Sequence, residues 1–464
     1  MIPVSCGEIA EAVGGELTGV DPSAVVDAAV VIDSRAAVPG GLFVALPGER
    51  VDGHDYVGVA TEAGVTASLT TRPIEGSPCI VVADAQAALG ALARLVVGRL
   101  PDLTVIGLTG SSGKSSTKDL IAQLIRPYGE TVSPEGSFNN EIGHPLTALQ
   151  ATATTKYLVA EMGARHLGDI TYLCDITPPR VGLVLNVGTS HIGEFGSQDN
   201  IALAKGELID AVIPGGTAVL NADDHRVAAM RSRTKEQVLT FGEAPEADVR
   251  AEGVKLDAEG RPAFTLQIGG FSGDVQLQLI GEHFVSNALA AATVASAVGL
   301  TPEQIAAGLN AATRVSAARM EVTERADGVT VINDAFNANP DSVRAALKAL
   351  VAIGRARGVR TWAVLGEMLE LGDTSTEEHD AIGRLVVRLD VNRLLVVGEG
   401  ARPIHLGASL EGSWGNESAF VGSIPEALEV LRSELRAGDV VLVKSSKAAK
   451  LRSLADTLIA EGAL

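Results

Sequence analysis

Residues 107–119, GLTGSSGKSSTKD, have the composition of a phosphate-binding loop. The apolar run TVIGLT leads into the segment, and a helical pattern of apolar residues follows it. A strand-to-helix turn presents backbone N–H groups and the positive end of the helix dipole to one point, which favours a phosphate. Lys114 would then reach the β- and γ-phosphates of a nucleotide, and the Ser115 hydroxyl would bind Mg²⁺.

The segment departs from the usual loop pattern at one position. That pattern has a glycine five residues before the Gly-Lys pair, and Leu108 stands there. Either this is an ordinary strand-to-helix turn or it is a phosphate loop of another build. Because Gly-Lys-Ser lies between a strand pattern and a helix pattern, we favour nucleotide binding.

Two more polar side chains follow strand-like runs in the same region. Glu161 ends YLVAE, and His191 comes shortly after VGLVLNV. Ligands gather at the carboxyl ends of parallel strands, where a carboxylate can hold the metal that bridges nucleotide phosphates. Taken alone, each has an ordinary alternative, a solvated glutamate and a structural histidine. Three strand ends that offer Ser115, Glu161 and His191 towards one place favour a functional site.

Lys205 and Asn287 lie in helical patterns. Lys205 belongs to NIALAKGELIDAV, where a solvated face is the ordinary role of a lysine. Asn287 opens the alanine-rich stretch NALAAATVASA and fits either a helix cap or a hydrogen-bond partner for a nucleotide base.

Two loops near the carboxyl end carry further polar residues. In VINDAFNANPDSVRAAL, Asn339 is the expected N-cap of a helix, whereas capping does not explain Asp334 and Asn337. In VLGEMLELGDTSTEEH, Ser375 and Glu378 have the spacing of a capping box.

The pattern of the chain predicts an α/β fold of three domains. The length of 464 residues suggests two to four domains. Residues 1–101 have the pattern of a small α/β unit, and residues 102–314 alternate short apolar runs with helices, as in a mainly parallel sheet covered on both faces. Polar and apolar residues alternate in AFTLQIGG and DVQLQLI, which predicts antiparallel edge strands. Residues 315–464 predict a Rossmann-like sheet.

Composition limits the possible functions. The net charge of −20 argues against a nucleic-acid partner, and an anionic ligand would need local cations, N–H groups or metal ions. Three cysteines without paired spacing suit a reducing cytosol. We expect no signal peptide, and the uncharged run of residues 284–302 predicts a buried helix rather than a membrane span.

Taken together, the motifs resemble the Mur ligase family over nearly the whole chain. The resemblance rests on DSRAAVPGGLFVALPGERVDGHDY, GLTGSSGKSSTKD, FNNEIGHPLT, EMGARHLGDI, GTSHIGEFGSQDNIALAKGEL, NDAFNANPDS and LGEMLELGD. It points to the member that joins D-alanyl-D-alanine to UDP-N-acetylmuramoyl-tripeptide. It implies an ATP- and Mg²⁺-dependent cytoplasmic monomer of peptidoglycan synthesis, hence of cell shape and division. The domains in order would bind the UDP substrate, bind ATP as a P-loop ATPase does, and complete the ligase site.

Carried over by position, the resemblance implies a role for individual residues. The ATP-binding group comprises Gly110, Ser111, Ser112, Gly113, Lys114, Ser115, Ser116, Asn287, Arg319 and Asp334. The catalytic group comprises Lys114, Lys205, His191 and Arg319. The metal group comprises Ser115, Glu161 and His191. The group that meets the other substrates comprises Ser34, Arg35 and His54 for the UDP sugar, with Asn337 and Asn339 at the active cleft.

In related ligases a lysine at the position of Lys205 is carbamylated, and we carry this over as a hypothesis. Some positions depart from the family pattern. Asn333 and Phe336 stand where Asp and Tyr are usual, and VKSSKAAK replaces the common Lys-Gly-Ser-Arg, which leaves Lys444 and Lys447 without an assigned role.

Other functions remain open at this point. One is another amide ligase of the same build, such as a tripeptide synthetase or a folylpolyglutamate synthase. Another is a catalytically inactive, ATP-gated binding protein of cell-wall assembly. The third residue of the stem peptide and the general base for the attacking amine are also left open.

Overall fold

The computed structural model describes residues 1–48, 51–412, 415 and 417–462. Glu49 and Arg50, which belong to the motif DSRAAVPGGLFVALPGERVDGHDY, lie outside the described residues. The same holds for residues 413, 414, 416, 463 and 464 of the third predicted domain.

The first unit is a small, mainly parallel sheet with flanking helices. Its strands are β1 (Val4–Ser5), β2 (Glu16–Thr18), β3 (Val25–Val26), β4 (Val30–Val31), β5 (Leu42–Val44), β6 (Ala67–Thr70) and β7 (Cys79–Val81), and its helices are α1 (Cys6–Val13), α2 (Val57–Glu62) and α3 (Ala85–Gly98). The main sheet has the order β2-β7-β6-β5-β4, with only β2 antiparallel to its neighbour. Helix α3 packs its apolar face into a core shared with the second unit.

The second unit contains the phosphate-loop motif. Its strands are β8 (Thr104–Thr109), β9 (Thr131–Val132), β10 (Tyr157–Glu161), β11 (Val181–Val184), β12 (Thr217–Asn221), β13 (Gln237–Gly242), β14 (Val249–Leu256), β15 (Pro262–Ile268) and β16 (Phe271–Gln276). Its helices are α4 (Lys114–Ile125), α5 (Gly143–Ala148), α6 (Asp169–Ile176), α7 (Ile192–Phe195), α8 (Gln198–Asp210), α9 (His225–Ala229), α10 (His283–Ala297) and α11 (Pro302–Ala311).

The strands of the second unit form one sheet in the order β16-β15-β14-β13-β12-β11-β8-β10-β9. Pairing is parallel from β9 to β14, and β15 and β16 extend the sheet antiparallel, so the antiparallel edge expected from the sequence is confirmed. Strand β8 lies between β10 and β11, so the ends of all three strands meet at one edge. That edge is where the candidate residues are found.

The third unit is a doubly wound sheet. Its strands are β17 (Glu321–Glu324), β18 (Thr330–Asn333), β19 (Thr361–Leu365), β20 (Arg393–Val397), β21 (Ser418–Val421) and β22 (Val440–Lys444), and its helices are α12 (Pro340–Arg357), α13 (Ser375–Arg388), α14 (Arg402–Glu411), α15 (Ile424–Glu434) and α16 (Leu451–Glu461). The order is β17-β18-β22-β19-β20-β21, parallel except for β17. Each sheet draws its strands from one of the three predicted ranges, although the exact boundaries stay a prediction.

Two helical expectations have different outcomes. The uncharged run forms the buried helix α10, and within the described residues no helix is long and apolar enough to cross a membrane. The capping box at Ser375 and Glu378 is wrong, because α13 begins at Ser375 directly after a 3-10 turn and Thr374 makes no side-chain cap. Glu378 instead forms an ion pair with Arg344 at 2.9 Å.

Candidate active site

The phosphate-loop segment turns from β8 into α4. Leu108 is fully buried within β8, so this apolar side chain belongs to the sheet and the turn starts at Gly110. Gly113 has a φ of +81°, and a Cβ there would lie 2.6 Å from Asn287 Oδ1. Both the left-handed backbone and the close approach of Asn287 therefore require a glycine at this position.

Asn186, which follows β11, braces the turn. Its backbone carbonyl accepts the Ser111 N–H at 3.2 Å, and its Oδ1 accepts the Ser112 N–H at 2.9 Å. The Ser111 hydroxyl in turn accepts the Gly188 N–H at 2.9 Å. Asn186 was not anticipated from the sequence, although its position just beyond a strand end was a signal for it.

Lys114 points back over the turn. Its Nζ donates to the Gly110 carbonyl at 2.6 Å. Burial lowers the pKa of Lys114; the Glu161 carboxylate opposes this effect, and the charge of Arg319 adds to it. A buried cation in this position favours an anionic ligand, which would restore its pKa.

Ser115 and Glu161 form the centre of the site. The Ser115 hydroxyl donates to Glu161 Oε2 at 2.7 Å, and both side chains are buried. Glu161 Oε1 accepts hydrogen bonds from the Ser137 hydroxyl at 2.7 Å and from Asn139 Nδ2 at 2.8 Å. A hydroxyl and a carboxylate are hard oxygen donors of the kind Mg²⁺ prefers, and nucleotide phosphates and water would complete its coordination. The residues present fit that ion.

Lys118 positions the loop that carries Ser137 and Asn139. Its buried Nζ donates to the Pro134 carbonyl and, at 3.2 Å, to the Gly136 carbonyl. Helix α4 therefore supplies the hydroxyl of Ser115 and also supports the loop behind Glu161. Asn139 belongs to FNNEIGHPLT, which the sequence analysis used as a family motif. The sequence did not predict that a residue of this motif would hold Glu161.

Arg319 reaches the same hydroxyl from the segment that joins the second unit to the third. Its Nη2 donates to Ser115 Oγ at 2.9 Å, and its guanidinium lies 4.1 Å from the centre of the Phe336 ring. Arg319 thus contacts the phosphate-loop segment, and its predicted contact with the nucleotide phosphates stays a prediction. Phe336, which lacks the hydroxyl usual in the family, serves here as a stacking surface.

His191 has another partner. Its Nδ1 lies 2.7 Å from Glu370 Oε2 of the third unit, and the hydrogen bond from His191 is the largest cause that lowers the pKa of Glu370. In the described part of the chain His191 makes no hydrogen bond to Ser115 or Glu161, and no group of three or more His, Cys, Asp and Glu could hold a metal. The structure thus pairs two of the three predicted metal ligands directly, and the metal role of His191 stays a prediction.

Lys205 is buried in α8, with 3% of its surface exposed. The solvated-face alternative is therefore wrong for this lysine. Among residues 1–48, 51–412, 415 and 417–462 it has no ion pair or hydrogen bond to its ammonium group. Burial, and then the charge of Lys114, lower its pKa well below the usual value. Burial and the nearby charge of Lys114 therefore make the protonated form of Lys205 less favourable than in an exposed lysine.

A small pocket lies beside helix α4, which begins at the phosphate-loop turn. Ser116, Leu120, Phe284, Val315 and Arg319 are among the residues that line it. Its wall combines the first turn of α10 with the segment that precedes the third sheet. Asn287, one helical turn after Phe284, lies against Gly113 as described above.

Asp334 is held within the third unit. Its Oδ2 lies 2.5 Å from Lys444 Nζ, and its Oδ1 accepts the Met320 N–H at 3.0 Å. Lys444 also donates to the Asn337 carbonyl at 3.0 Å. Both oxygens of Asp334 are thus engaged, and its contact with adenosine stays a prediction. Lys444, which the sequence left without a role, organises this loop.

Asn339 connects the third unit to the phosphate loop. Its Oδ1 accepts the Ser342 N–H at 2.8 Å, which confirms it as the N-cap of α12. Its Nδ2 donates to the Ser111 carbonyl at 3.3 Å. One side chain therefore both caps a helix and contacts the turn of the phosphate-loop segment.

The residues predicted for the UDP sugar lie in loops of the first sheet. Ser34 and Arg35 begin a 3-10 turn, and Arg35 forms an exposed ion pair with Asp33 at 2.6 Å. His54 is buried, with Nδ1 2.6 Å from Asp52 Oδ1, and Nε2 accepts the Thr71 N–H at 2.9 Å. Both ring nitrogens of His54 are already used, so it can act on a substrate only through the loop it supports.

Comparison with known proteins places this geometry in a family. Family models match three stretches: "Mur ligase family, catalytic domain" at residues 28–96, "Mur ligase middle domain" at 108–295 and "Mur ligase, glutamate ligase domain" at 318–447. A curated relative from Mycobacterium tuberculosis, named UDP-N-acetylmuramoyl-tripeptide--D-alanyl-D-alanine ligase, is 49% identical, with 99% of this chain and 98% of the relative covered. A relative of the same name from Escherichia coli is 34% identical, with both chains fully covered.

Solved structures agree. A crystal structure of MurF from Acinetobacter baumannii superposes with a TM-score of 0.88 at 32% identity, covering 99% of each chain. MurF ligase from Thermotoga maritima in complex with ADP gives a TM-score of 0.81 at 28% identity, covering 94% of this chain and 97% of that one. With its phosphate loop, its serine–glutamate pair and these matches over nearly its whole length, the chain belongs to the Mur ligase family.

Proposed function

We propose that this chain is the ATP-dependent ligase that joins D-alanyl-D-alanine to UDP-N-acetylmuramoyl-tripeptide to give the pentapeptide precursor of peptidoglycan. The observation that carries the proposal is the approach of Arg319 and Lys114 to the buried Ser115–Glu161 pair, in a chain whose full-length relatives are named for this reaction. A structural neighbour in complex with ADP supports the use of ATP.

The reaction follows from what an amide bond requires. The terminal carboxylate of the tripeptide attacks the γ-phosphorus of ATP, so ADP leaves and an acyl phosphate forms. The amine of D-alanyl-D-alanine then attacks the acyl carbon and loses a proton, and inorganic phosphate leaves as the amide forms. Phosphoryl transfer of this kind depends on positioning and charge neutralisation more than on covalent chemistry.

The local charge suits this role despite the overall charge of −20. Lys114 neutralises the β- and γ-phosphates, and Arg319 approaches the transferred group from the third unit. Mg²⁺, held by Ser115 and Glu161, supplies further neutralisation when it is bound. His191 extends this metal site as its predicted third member.

The remaining parts of the proposal concern the other substrates and the setting. The UDP-sugar end lies on the loops of Ser34, Arg35 and His54, and the loop of Asn337 and Asn339 faces the cleft where the tripeptide and the dipeptide meet. The chain acts in the cytoplasm as a monomer. In size-exclusion chromatography at assay concentrations we expect the protein to elute with a monomer standard, and a peak at the smaller elution volume of a dimer would contradict the monomer.

Lys205 carries a carbamate in the working enzyme. A neutral amine attacks CO₂, an N–C bond forms and one proton is released, and a lowered pKa increases the fraction of neutral amine. The product anion would lie beside Lys114 and add an oxygen ligand for the metal. We expect Lys205→Ala to lose activity and to recover part of it with short carboxylates. No recovery, with no extra mass on Lys205 in the intact protein, would exclude the carbamate.

A panel of acceptors tests the main proposal. Every reaction contains the protein, ATP and Mg²⁺. The carboxylate substrate is UDP-N-acetylmuramoyl-tripeptide, its dipeptide precursor or a folate, and the amine substrate is D-alanyl-D-alanine, a diamino acid or glutamate. We expect a product only from the tripeptide and D-alanyl-D-alanine, with a mass equal to their sum less one water. Extension of the dipeptide precursor would indicate a tripeptide synthetase, and extension of the folate a folylpolyglutamate synthase. ATP binding without ADP release would indicate a binding protein.

A further inference from the structure

The segment of residues 313–321, here called the arginine arm, brings Arg319 to Ser115. It joins α11 of the second unit to β17 of the third. The residues on either side of Arg319, Ala318 and Met320, have φ values of +53° and +48°. This left-handed conformation is unfavourable for a residue with a Cβ, so the surrounding contacts must hold the arm in place.

Three carboxylates hold alternate N–H groups of the arginine arm. Asp119 Oδ2 accepts the Ser316 N–H at 3.1 Å, Glu321 Oε2 accepts the Ala318 N–H at 2.8 Å, and Asp334 Oδ1 accepts the Met320 N–H at 3.0 Å. Glu321 and Asp334 belong to the third unit. Asp119 alone lies on α4, the helix that begins at the phosphate loop.

Asp119 is bound to the arm twice. In addition to the backbone bond, its Oδ2 accepts the Ser316 hydroxyl at 2.5 Å, and both side chains are buried. One helical turn further along, Gln123 exchanges two hydrogen bonds with the backbone of Thr313, at 2.9 and 3.0 Å. Ser115, Asp119 and Gln123 are spaced four residues apart, so they share one face of α4. The same face therefore presents the hydroxyl and fixes the arm that brings Arg319 to it.

Asp119 is also tied to the loop behind Glu161. Its Oδ1 lies 3.1 Å from Lys118 Nζ, and Lys118 holds the carbonyls of Pro134 and Gly136 in the loop that leads to Ser137 and Asn139. The carboxylate thus lies between the support of Glu161 and the support of Arg319.

We propose that Asp119 is a positioning residue, which holds Arg319 at the phosphate site by anchoring the arginine arm to the helix of the phosphate loop. The inference rests on the proposed function insofar as Arg319 acts on the phosphates of ATP. Without the anchor the arm keeps Arg319 but no longer keeps it within reach of Ser115. A misplacement of about 1 Å at such a group can lower a rate by about 100-fold.

A double-mutant cycle tests this role. Asp119→Ala and Ser316→Ala are each made in the wild-type chain and in Arg319→Ala, and the ligation kcat is measured with the unfolding temperature. We expect Asp119→Ala to lower kcat by about 10-fold or more and Ser316→Ala, which leaves Lys118–Asp119 intact, by about 3-fold. In the Arg319→Ala background each should change kcat by less than about 2-fold, because the group they position is absent.

Asp84→Ala is the matched control. Asp84 accepts two backbone N–H groups at the start of α3, as Asp119 accepts bonds from the arm, but it lies in the first unit. It should lower the unfolding temperature and leave kcat unchanged. Asp119 has only a structural role if Asp119→Ala likewise lowers the unfolding temperature without changing kcat. The same conclusion holds if the fold loss of kcat in the double variant with Arg319→Ala equals the product of the two single losses.

Binding of a non-hydrolysable ATP analogue with Mg²⁺ is measured on the same variants. This readout separates the inference from the proposed function, because it requires no ligation. If the wild-type chain binds the analogue but makes no pentapeptide, the proposed function fails. The same double-mutant cycle, measured as affinity for the analogue, then decides the inference. If the losses of affinity in Asp119→Ala and Arg319→Ala are not additive in free energy, the positioning role is supported, and if they are additive, it is overturned. Should Asp119→Ala not fold, Ser316→Ala alone gives the same decision.

Discussion

At the scale of single residues, the site gathers three cations around one buried carboxylate, and of these cations Lys205 is buried while Lys114 and Arg319 are partly buried. Lys114, Lys205 and Arg319 face a site whose paired anion is Glu161. Gly-Lys-Ser between a strand pattern and a helix pattern is a strong sequence signal, whereas the strand-end Glu161 gained weight only together with it, and both residues that were expected to meet, Ser115 and Glu161, are in contact. The burial of Lys205 could not be read in the same way, because its helical pattern fits an exposed lysine equally well and only the packing of α8 decides between them.

Removing the Ser115 hydroxyl should lower turnover without unfolding the chain. Ser115→Ala deletes the donor to Glu161 and the expected metal ligand, so we expect kcat to fall by about 100-fold. Ser115→Thr keeps the hydroxyl and serves as the control, within a few-fold of wild type. Steady-state rates at saturating ATP and Mg²⁺ measure both. Equal activity in the alanine variant would remove Ser115 from the metal site.

Lys205 should illustrate a conflict between stability and activity. Its pKa is lower in the folded chain than in the unfolded one, so the unfolded state binds more protons and this group destabilises the fold below its usual pKa of about 10.5. In CO₂-free buffer, Lys205→Met should therefore raise the unfolding temperature at neutral pH, and the gain should shrink as the pH rises towards that value. Ligation should fall by about 100-fold.

Thermal unfolding between pH 7 and 10 measures this effect. Lys156→Met, at a lysine that contacts the Tyr128 carbonyl at the surface, provides the comparison. A Lys205→Met protein that is less stable than wild type across this range would contradict a lowered pKa in the apo chain.

At the scale of elements, strands were predicted better than helix ends. Strands β8 and β10 coincide with the short apolar runs TVIGLT and YLVAE, and such runs are a local signal. The short strand β21, SAFV, was not predicted, because it is only partly buried and its register comes from pairing with β20. The capping box at Ser375 failed because a 3-10 turn takes the position of the cap.

Asn339 allows the two functions of one element to be separated. Asn339→Ala should lose the cap of α12, at a cost of about 1 kcal/mol, and also the bond to Ser111. Asn339→Asp keeps an oxygen for the Ser342 N–H but has no donor for the Ser111 carbonyl, so its stability should be close to that of wild type while kcat still falls by about 10-fold. Chemical denaturation and kinetics are compared on both. Full activity in the aspartate variant would mean that the contact with Ser111 has no part in turnover.

At the scale of the whole molecule, the third unit completes the site. Arg319 and Asn339 contact the phosphate-loop segment of the second unit, and Glu370 contacts His191 of the same unit. Ser316 lies 197 positions from Asp119, and Asn339 lies 228 positions from Ser111. Contacts between residues so far apart leave no local pattern in a single sequence. The family resemblance indicated that the units meet, but the contacting residue pairs could be identified only from the structure.

The close approach of Gly193 and Gly372 should be required for the contact between the second and third units. A Cβ on Gly193 would lie 2.6 Å from the Gly372 nitrogen, yet Gly193 belongs to α7, where alanine is intrinsically favoured. Gly193→Ala should therefore leave the second unit folded but separate it from the third, with kcat lower by about 10-fold or more. Gly98→Ala, in open space at the end of α3, is the control and should be fully active.

Small-angle scattering with and without the ATP analogue measures this separation. We expect a larger radius of gyration for Gly193→Ala than for wild type or Gly98→Ala. Identical compactness and turnover in all three proteins would show that the glycine contact is not needed for the assembled site.

The central claim is that the site activates a carboxylate by phosphoryl transfer and then forms an amide. The most direct measurement uses UDP-N-acetylmuramoyl-tripeptide labelled with ¹⁸O in both oxygens of its terminal carboxylate, together with ATP, Mg²⁺ and D-alanyl-D-alanine. An acyl phosphate predicts one ¹⁸O in the released inorganic phosphate and one in the new amide, both read by mass. Pentapeptide formation with no ¹⁸O in the phosphate, or labelled substrate left unchanged while ATP is hydrolysed, would contradict the account.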